Sequence, residues 1–194
     1  MPMIKKICTD KALRQFTCHQ LEDAGIEIKV DENLKEEEYI GIKVDDYYNH
    51  KGLGGETPKA VDFVVVVDCQ CNAYVMYILE LKNVKKPGQY TTKSIHEKFS
   101  TTINRFIKDE FKETFLADQV RYKEIKLYLV TTAYQDAMKH GNYDEYCRLM
   151  LKMNKKDTLN MDMELTSKPF IIRGQVLHIK KEIPPNPIIR RIYG

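Results

Sequence analysis

Val61 to Asn83 reads VDFVVVVDCQCNAYVMYILELKN, and the fold turns on this stretch. Two β-branched and aromatic runs, Val61 to Asp68 and Tyr74 to Lys82, are separated by Cys69-Gln70-Cys71-Asn72-Ala73. That pattern predicts adjacent antiparallel strands at the centre of a sheet. Carboxylates interrupt it where apolar residues are expected: Asp62 opens the first run and Glu80-Leu81-Lys82 closes the second. Side chains two apart in a strand share a face, so Glu80 and Lys82 project together while Leu81 packs on the other side. Folding the hairpin at Cys69 to Ala73 brings Asp62 to the end of the second strand where Glu80 and Lys82 sit, and leaves Asp68 by the turn, remote from them. Two converging carboxylates with the carbonyl of Leu81 suit a hard divalent cation such as Mg²⁺. Read singly, Asp62 is a strand cap and Glu80 with Lys82 an exposed ion pair worth little.

The elements around the hairpin follow from periodicity. Asp10 is a helix N-cap in this reading, and Leu13, Phe16 and Leu21 follow at helical spacings until Gly25 ends a first helix. Ile26 to Val30 and Tyr39 to Val44 alternate as strands on either side of the acidic segment Asp31 to Glu38. Asp45 to Pro58, with Gly52, Gly54 and Gly55, reads as a mobile connection that lacks the ending of a phosphate-binding loop. Beyond Pro87-Gly88, Ile95, Phe99, Ile103, Phe106, Phe111 and Phe115 lie along one stripe of a long amphipathic helix. Ile125 to Val130 is a further strand, Tyr134 to Met153 a second helical region, and Phe170 to Ile172 with Gln175 to Ile179 a hairpin turning at Arg173-Gly174. The fold class is α/β: a central mixed sheet flanked by helices, in the core order αβββαβ, with C-terminal additions.

Composition bounds the function. The 194 residues are enough for one substantial core, and 43% apolar with 30% charged residues describes a globular chain, taken as a single domain over residues 1–194. A formal charge of +3 permits a polyanionic partner without requiring one. Five cysteines without a C-x-x-C pair suggest neither a disulfide framework nor a structural zinc site, and point to a reducing cytoplasm. The N-terminus lacks an apolar signal core, and no apolar run approaches the roughly 18 residues needed to span a bilayer, so no membrane association is expected.

The segments PKAVDFVVVV and YILELKN, in this element order, resemble the Asp and E-x-K parts of the PD-(D/E)xK nuclease superfamily, which includes many type II restriction endonucleases. The resemblance covers about residues 10–131. Val61 stands where the family name has proline, and Pro58 lies three positions earlier. The Gln-x-x-x-Tyr motif of the exonuclease-like branch does not follow Lys82, since Gln89 and Tyr90 are adjacent.

The resemblance implies a restriction-endonuclease-like core and Mg²⁺-dependent hydrolysis of DNA phosphodiesters, with Mn²⁺ able to substitute. Asp62, Glu80 and the Leu81 carbonyl would hold the metal, and Lys82 would be the catalytic lysine. Many members add an acid from the first helix: Glu22 is the candidate, with Asp23 and Glu56 behind it. Lys85, Lys86, Lys93 and Arg105 are candidate contacts to double-stranded DNA, although each alone also reads as ordinary solvated surface. The expected activity is that of a type II restriction endonuclease acting as a homodimer. The alternatives are a Holliday-junction resolvase or DNA-repair nuclease, and an inactive nuclease-fold module that binds nucleic acid or protein.

Overall fold

The computed structural model describes residues 2–51, 57–84, 90–132, 165 and 167–192. Its centre is the predicted hairpin. Strand β5 (Phe63–Asp68) pairs antiparallel with β6 (Ala73–Lys82), and the turn between them places Gln70, Cys71 and Asn72 at positive φ. Asp68 serves that turn, its Oδ1 accepting the Gln70 N–H at 2.7 Å.

Both strands are almost wholly apolar because both faces of the sheet are covered. Val64 and Val66 of β5, with Tyr74, Met76 and Ile78 of β6, pack into the larger core. Phe63, Val65 and Val67, with Val75, Tyr77, Leu79 and Leu81, pack into a second core on the opposite face.

Around this pair the sheet has six strands. Strand β1 (Thr17–Cys18) lies at one edge, followed by β4 (Tyr39–Lys43), β5, β6, β7 (Arg121–Thr131) and β10 (Ile179–Glu182). Each of the first four runs antiparallel to its neighbour among them, whereas β7 runs parallel to β6 and β10 parallel to β7, which makes the sheet mixed.

The parallel step from β6 to β7 needs a crossover, and the long apolar stripe supplies it. Helix α3 (Thr92–Ser100) is capped by Thr91, whose side chain accepts the Ser94 N–H, and continues as a π-helix over Thr101–Glu110 and a short α4 (Lys112–Phe115). Ile95, Phe99, Ile103, Phe106, Phe111 and Phe115 are all buried in the larger core, as their spacing predicts. The α-helices among the described residues pack on this one face. The other face is covered by the small hairpin of β2 (Glu22–Asp23) and β3 (Ile26–Glu27) and by the segment around Ile189 and Ile192.

Three expectations are corrected. The first helix is α1 (Met3–Thr9), and Asp10 to Gly25 forms no α-helix. Asp10 does cap the chain, its Oδ1 accepting from Ala12 and Leu13, but only a 3-10 turn at Arg14–Phe16 follows. Leu13 enters the larger core and Leu21 the smaller, on opposite faces of the sheet, so the two cannot share one helical stripe.

The second correction concerns the supposed connection after Val44. It begins as helix α2 (Val44–Lys51), with Val44, Tyr47 and Tyr48 buried at i, i+3 and i+4. Third, Ile26 to Val30 is a strand only at β3, and Val30 instead bridges to Ile189.

The C-terminal hairpin forms as expected: β8 (Phe170–Ile172) and β9 (Gln175–Leu177) join through Arg173 and Gly174, both at positive φ as a two-residue primed turn requires. The second helical region at 134–153 lies outside the described residues. Among the described residues, no helix is long and apolar enough to cross a membrane.

Candidate functional site

The hairpin register decides where the carboxylates fall. Phe63 pairs with Leu79, so one further step sets Asp62 opposite Glu80, with both side chains on the face that carries Val64 and Ile78. Two contacts hold Asp62 just outside the ladder. Its carbonyl accepts the Val44 N–H at 3.1 Å, and the preceding Val61 N–H donates to the buried Thr102 hydroxyl at 3.1 Å. The Asp62 carboxylate turns to β6, where Oδ2 accepts the Leu81 N–H at 2.5 Å. An extended residue points its N–H and C=O to the same side, so the Leu81 carbonyl also faces the Asp62 side.

Glu80 is 0% exposed, with two ammonium groups against it. Lys82 Nζ lies 2.7 Å from Oε1, and Lys98 Nζ, from α3, lies 2.8 Å from Oε1 and donates to Oε2 at 3.0 Å. Lys98 also stands 3.9 Å from Asp62 Oδ1. Oε1 is thus within ion-pairing distance of both lysines, yet it accepts no hydrogen bond of good geometry. Two carboxylates and two ammoniums balance in charge.

Burial, with the Glu80 charge beside it, pushes the Asp62 carboxyl up to about 7 against the opposing pull of Lys98 and the Leu81 N–H. For Lys98 burial acts to lower the pKa, but Glu80 and Asp62 outweigh it and hold the ammonium above the usual lysine value.

The structure therefore brings together Asp62, Glu80, Leu81 and Lys82 from the predicted set. Glu22 lies apart, exposed on β2 with its carboxylate accepting from Gln20, and no longer has the helix that was to present it. Its neighbour Asp23 is the acid whose charge reaches Asp62. The β2–β3 turn that carries Asp23 is tied to the rim of the site by Asn83, whose Nδ2 donates to the Ala24 carbonyl at 2.8 Å.

Lys93 is exposed on α3, and Arg105 is exposed but engaged, ion-paired to Glu110 at 3.2 Å and over the Tyr48 ring. Lys85, Lys86 and Glu56 fall outside the described residues. Tyr47 and Tyr48 face inward and donate to Glu110.

Lys98 is the residue that sequence reasoning missed. The legible signal was its place between buried Ile95 and buried Thr102, three and four residues away, where a lysine interrupts the inward stripe. Among the described residues no group of three or more His, Cys, Asp or Glu side chains converges as a metal cluster, so Asp62 and Glu80 are the only acidic side chains that meet here. No protein-family model, curated protein or solved structure matches the chain.

Proposed function

We propose that the chain is a Mg²⁺-dependent endodeoxyribonuclease with a restriction-endonuclease-like core, most simply a type II restriction endonuclease acting on duplex DNA as a homodimer. The observation that carries the reading is the convergence of Asp62, Glu80 and Lys82 at one end of the β5–β6 hairpin, with the two carboxylates opposite each other in register. The run β4, β5, β6, α3, β7 around them, with α2 inserted between β4 and β5, supports it as well.

The residues fit a hard divalent ion: two carboxylates, a main-chain carbonyl aimed to the same side, and a buried Glu80 oxygen that two ammoniums approach without a hydrogen bond of good geometry. Asp62, Glu80 and the Leu81 carbonyl would hold it. Such an ion, when bound, supplies Lewis-acid polarisation of a phosphoryl oxygen and a more acidic water.

The chain's own groups do the rest. The Leu81 N–H fixes the orientation of Asp62. Lys82, with 29% of its side chain exposed against 14% for Lys98, is the ammonium placed to meet a phosphate and stabilise charge gathering on it. Asp62 must be ionised to act as a ligand, so metal binding competes with the proton that burial favours, and the affinity for Mg²⁺ should rise with pH.

The test is digestion of a plasmid of known sequence with Mg²⁺ by the wild type, Glu80→Ala and Lys82→Ala. Discrete fragments from the wild type and none from either variant are expected, with circular dichroism showing both variants folded. Equal cleavage by all three refutes the assignment. A smear replaces the restriction reading with a non-specific nuclease.

A second reading draws on one observation: ammoniums already stand against both carboxylates, two against Glu80 and Lys98 at 3.9 Å from Asp62. A nuclease-like module that binds nucleic acid without cutting it would leave the plasmid intact and retard it in a gel.

A further inference from the structure

Lys98 and Lys82 are not equivalent. Lys82 reaches Glu80 from two positions along the same strand and makes no contact with Asp62 within ion-pairing distance. Lys98 comes from the helix layer, touches both oxygens of Glu80 at 2.8 and 3.0 Å, and stands 3.9 Å from Asp62 Oδ1. Its Nζ therefore occupies the place between the two carboxylates where a cation gains most from both.

We propose that Lys98 is the resident cation of this site, holding the position of the divalent metal and leaving it when the metal enters. This rests on the metal-binding reading above. Like charges a few ångströms apart in a poorly solvated site repel strongly, so the ammonium and a divalent ion cannot both sit between Asp62 and Glu80.

Charge balance gives the same answer from the other side. With both lysines in place and Asp62 ionised the site is neutral, and adding a divalent ion leaves two excess positive charges. If Lys98 withdraws and a phosphodiester arrives, the two carboxylates, Lys82, the metal and the phosphate again sum to zero. The site is thus closed to metal at rest and balanced when metal and phosphodiester are bound together. Lys98 has a route out: it is 14% exposed, and a lysine's four-carbon stem lets the ammonium swing without moving the helix. Glu80, at 0% exposure and fixed in the central strand, has none. Lys98 acts on the site through the carboxylates and is a positioning residue in this proposal, with Lys82 remaining the group that meets substrate.

The test uses Mn²⁺ alone as the probe, with free Mn²⁺ followed by electron paramagnetic resonance in titrations of the wild type, Glu80→Gln, Lys98→Met and Lys98→Met/Glu80→Gln. Lys98→Met should bind Mn²⁺ roughly tenfold or more tightly than the wild type, and Glu80→Gln should remove that gain. Because Lys98→Met leaves Glu80 short of a partner and could unfold the chain, a second measurement uses the wild type only. Acetylation of Lys98, read by mass spectrometry, should rise severalfold on saturation with Mg²⁺ while that of the remote, exposed Lys5 does not change.

If binding depends on Glu80 but Lys98→Met binds no more tightly, or Lys98 stays protected with Mg²⁺, the displacement idea falls and the metal site stands. If no Glu80-dependent binding is found in either protein, both fall.

Discussion

Asp62→Asn should stabilise the metal-free protein at pH 8, an unusual direction for a change at a well-ordered buried residue. Asp62 is held with 10% of its side chain exposed, opposite buried Glu80, and its carboxyl is pushed up to about 7 from 3.8, by burial first and by the Glu80 charge second. A carboxyl with a raised pKa binds its proton more tightly in the fold than in the unfolded chain. Its contribution to stability is therefore complete below about pH 4, is lost as pH rises to about 7, and is flat above that. The shift corresponds to about 4 kcal/mol at full development. Part of it belongs to the Asp62–Glu80 pair jointly, so about 2 kcal/mol is the share expected for Asp62 alone.

Asparagine is close in shape, carries no charge and can still accept the Leu81 N–H that now reaches Oδ2 at 2.5 Å. The measurement is urea unfolding of wild type and Asp62→Asn in chelator at pH 4.5 and pH 8. Asp62→Asn should exceed the wild type by about 2 kcal/mol at pH 8, with most of that gap gone at pH 4.5 and the slope against denaturant unchanged. A variant less stable than the wild type at pH 8, or a gap of the same size at both pH values, would refute the reasoning. Mg²⁺ in place of chelator should narrow the gap at pH 8, since only the wild type offers a full carboxylate to the ion.

Two further substitutions test the frame that holds the site. Thr102→Val removes the hydroxyl that accepts the buried Val61 N–H while keeping the side chain's shape; it should cost about 1–3 kcal/mol in urea unfolding and lower cleavage by loosening Asp62 next door. Gly41→Ala puts a Cβ 2.5 Å from Leu21 Cδ2 and 3.1 Å from the Cys18 carbonyl, so it should cost about 1–3 kcal/mol by the same measurement; an unchanged midpoint would mean that β1 and β4 pack less tightly than described.

Much of the site was legible because its logic is local. Period two put Glu80 and Lys82 on one face, and the hairpin turn at Cys69 to Ala73 fixed the register that sets Asp62 opposite Glu80. The same geometry sent Asp68 to the turn. The long crossover helix was legible through six apolar residues on one stripe.

What escaped was set by tertiary choices. Leu13 and Leu21 have helical spacing, yet the sheet draws them to opposite faces. Glycines further along masked α2, whose buried Tyr47 and Tyr48 are anchored by Glu110, about 60 residues away. Strand β10 is four residues long with two lysines, too short and too polar to announce that it extends the sheet beside β7. Lys98 reaches Glu80 across the layer between helix and strand, and nothing in its own neighbourhood states which carboxylate it will meet.

The charged group is a poor device for holding the fold together. Glu80 stands in a strand whose same-face neighbours Tyr74, Met76 and Ile78 are apolar, and Lys98 stands between Ile95 and Thr102 on the inward side of α3. Replacing buried ion pairs by apolar groups of similar size is often neutral or stabilising by about 1–4 kcal/mol, because desolvation offsets most of the Coulomb gain. An apolar pair at 80 and 98 would extend the existing core and remove the Glu80 charge that adds to the effect of burial on Asp62. The chain instead keeps two carboxylates and two ammoniums at one end of its most apolar strands, with one carboxylate held partly against its ionised form. Strain of that kind has a use where the charges must be rearranged. A rigid hairpin that fixes the carboxylates, together with a flexible lysine that the proposal has leave them, is the arrangement that rearrangement calls for.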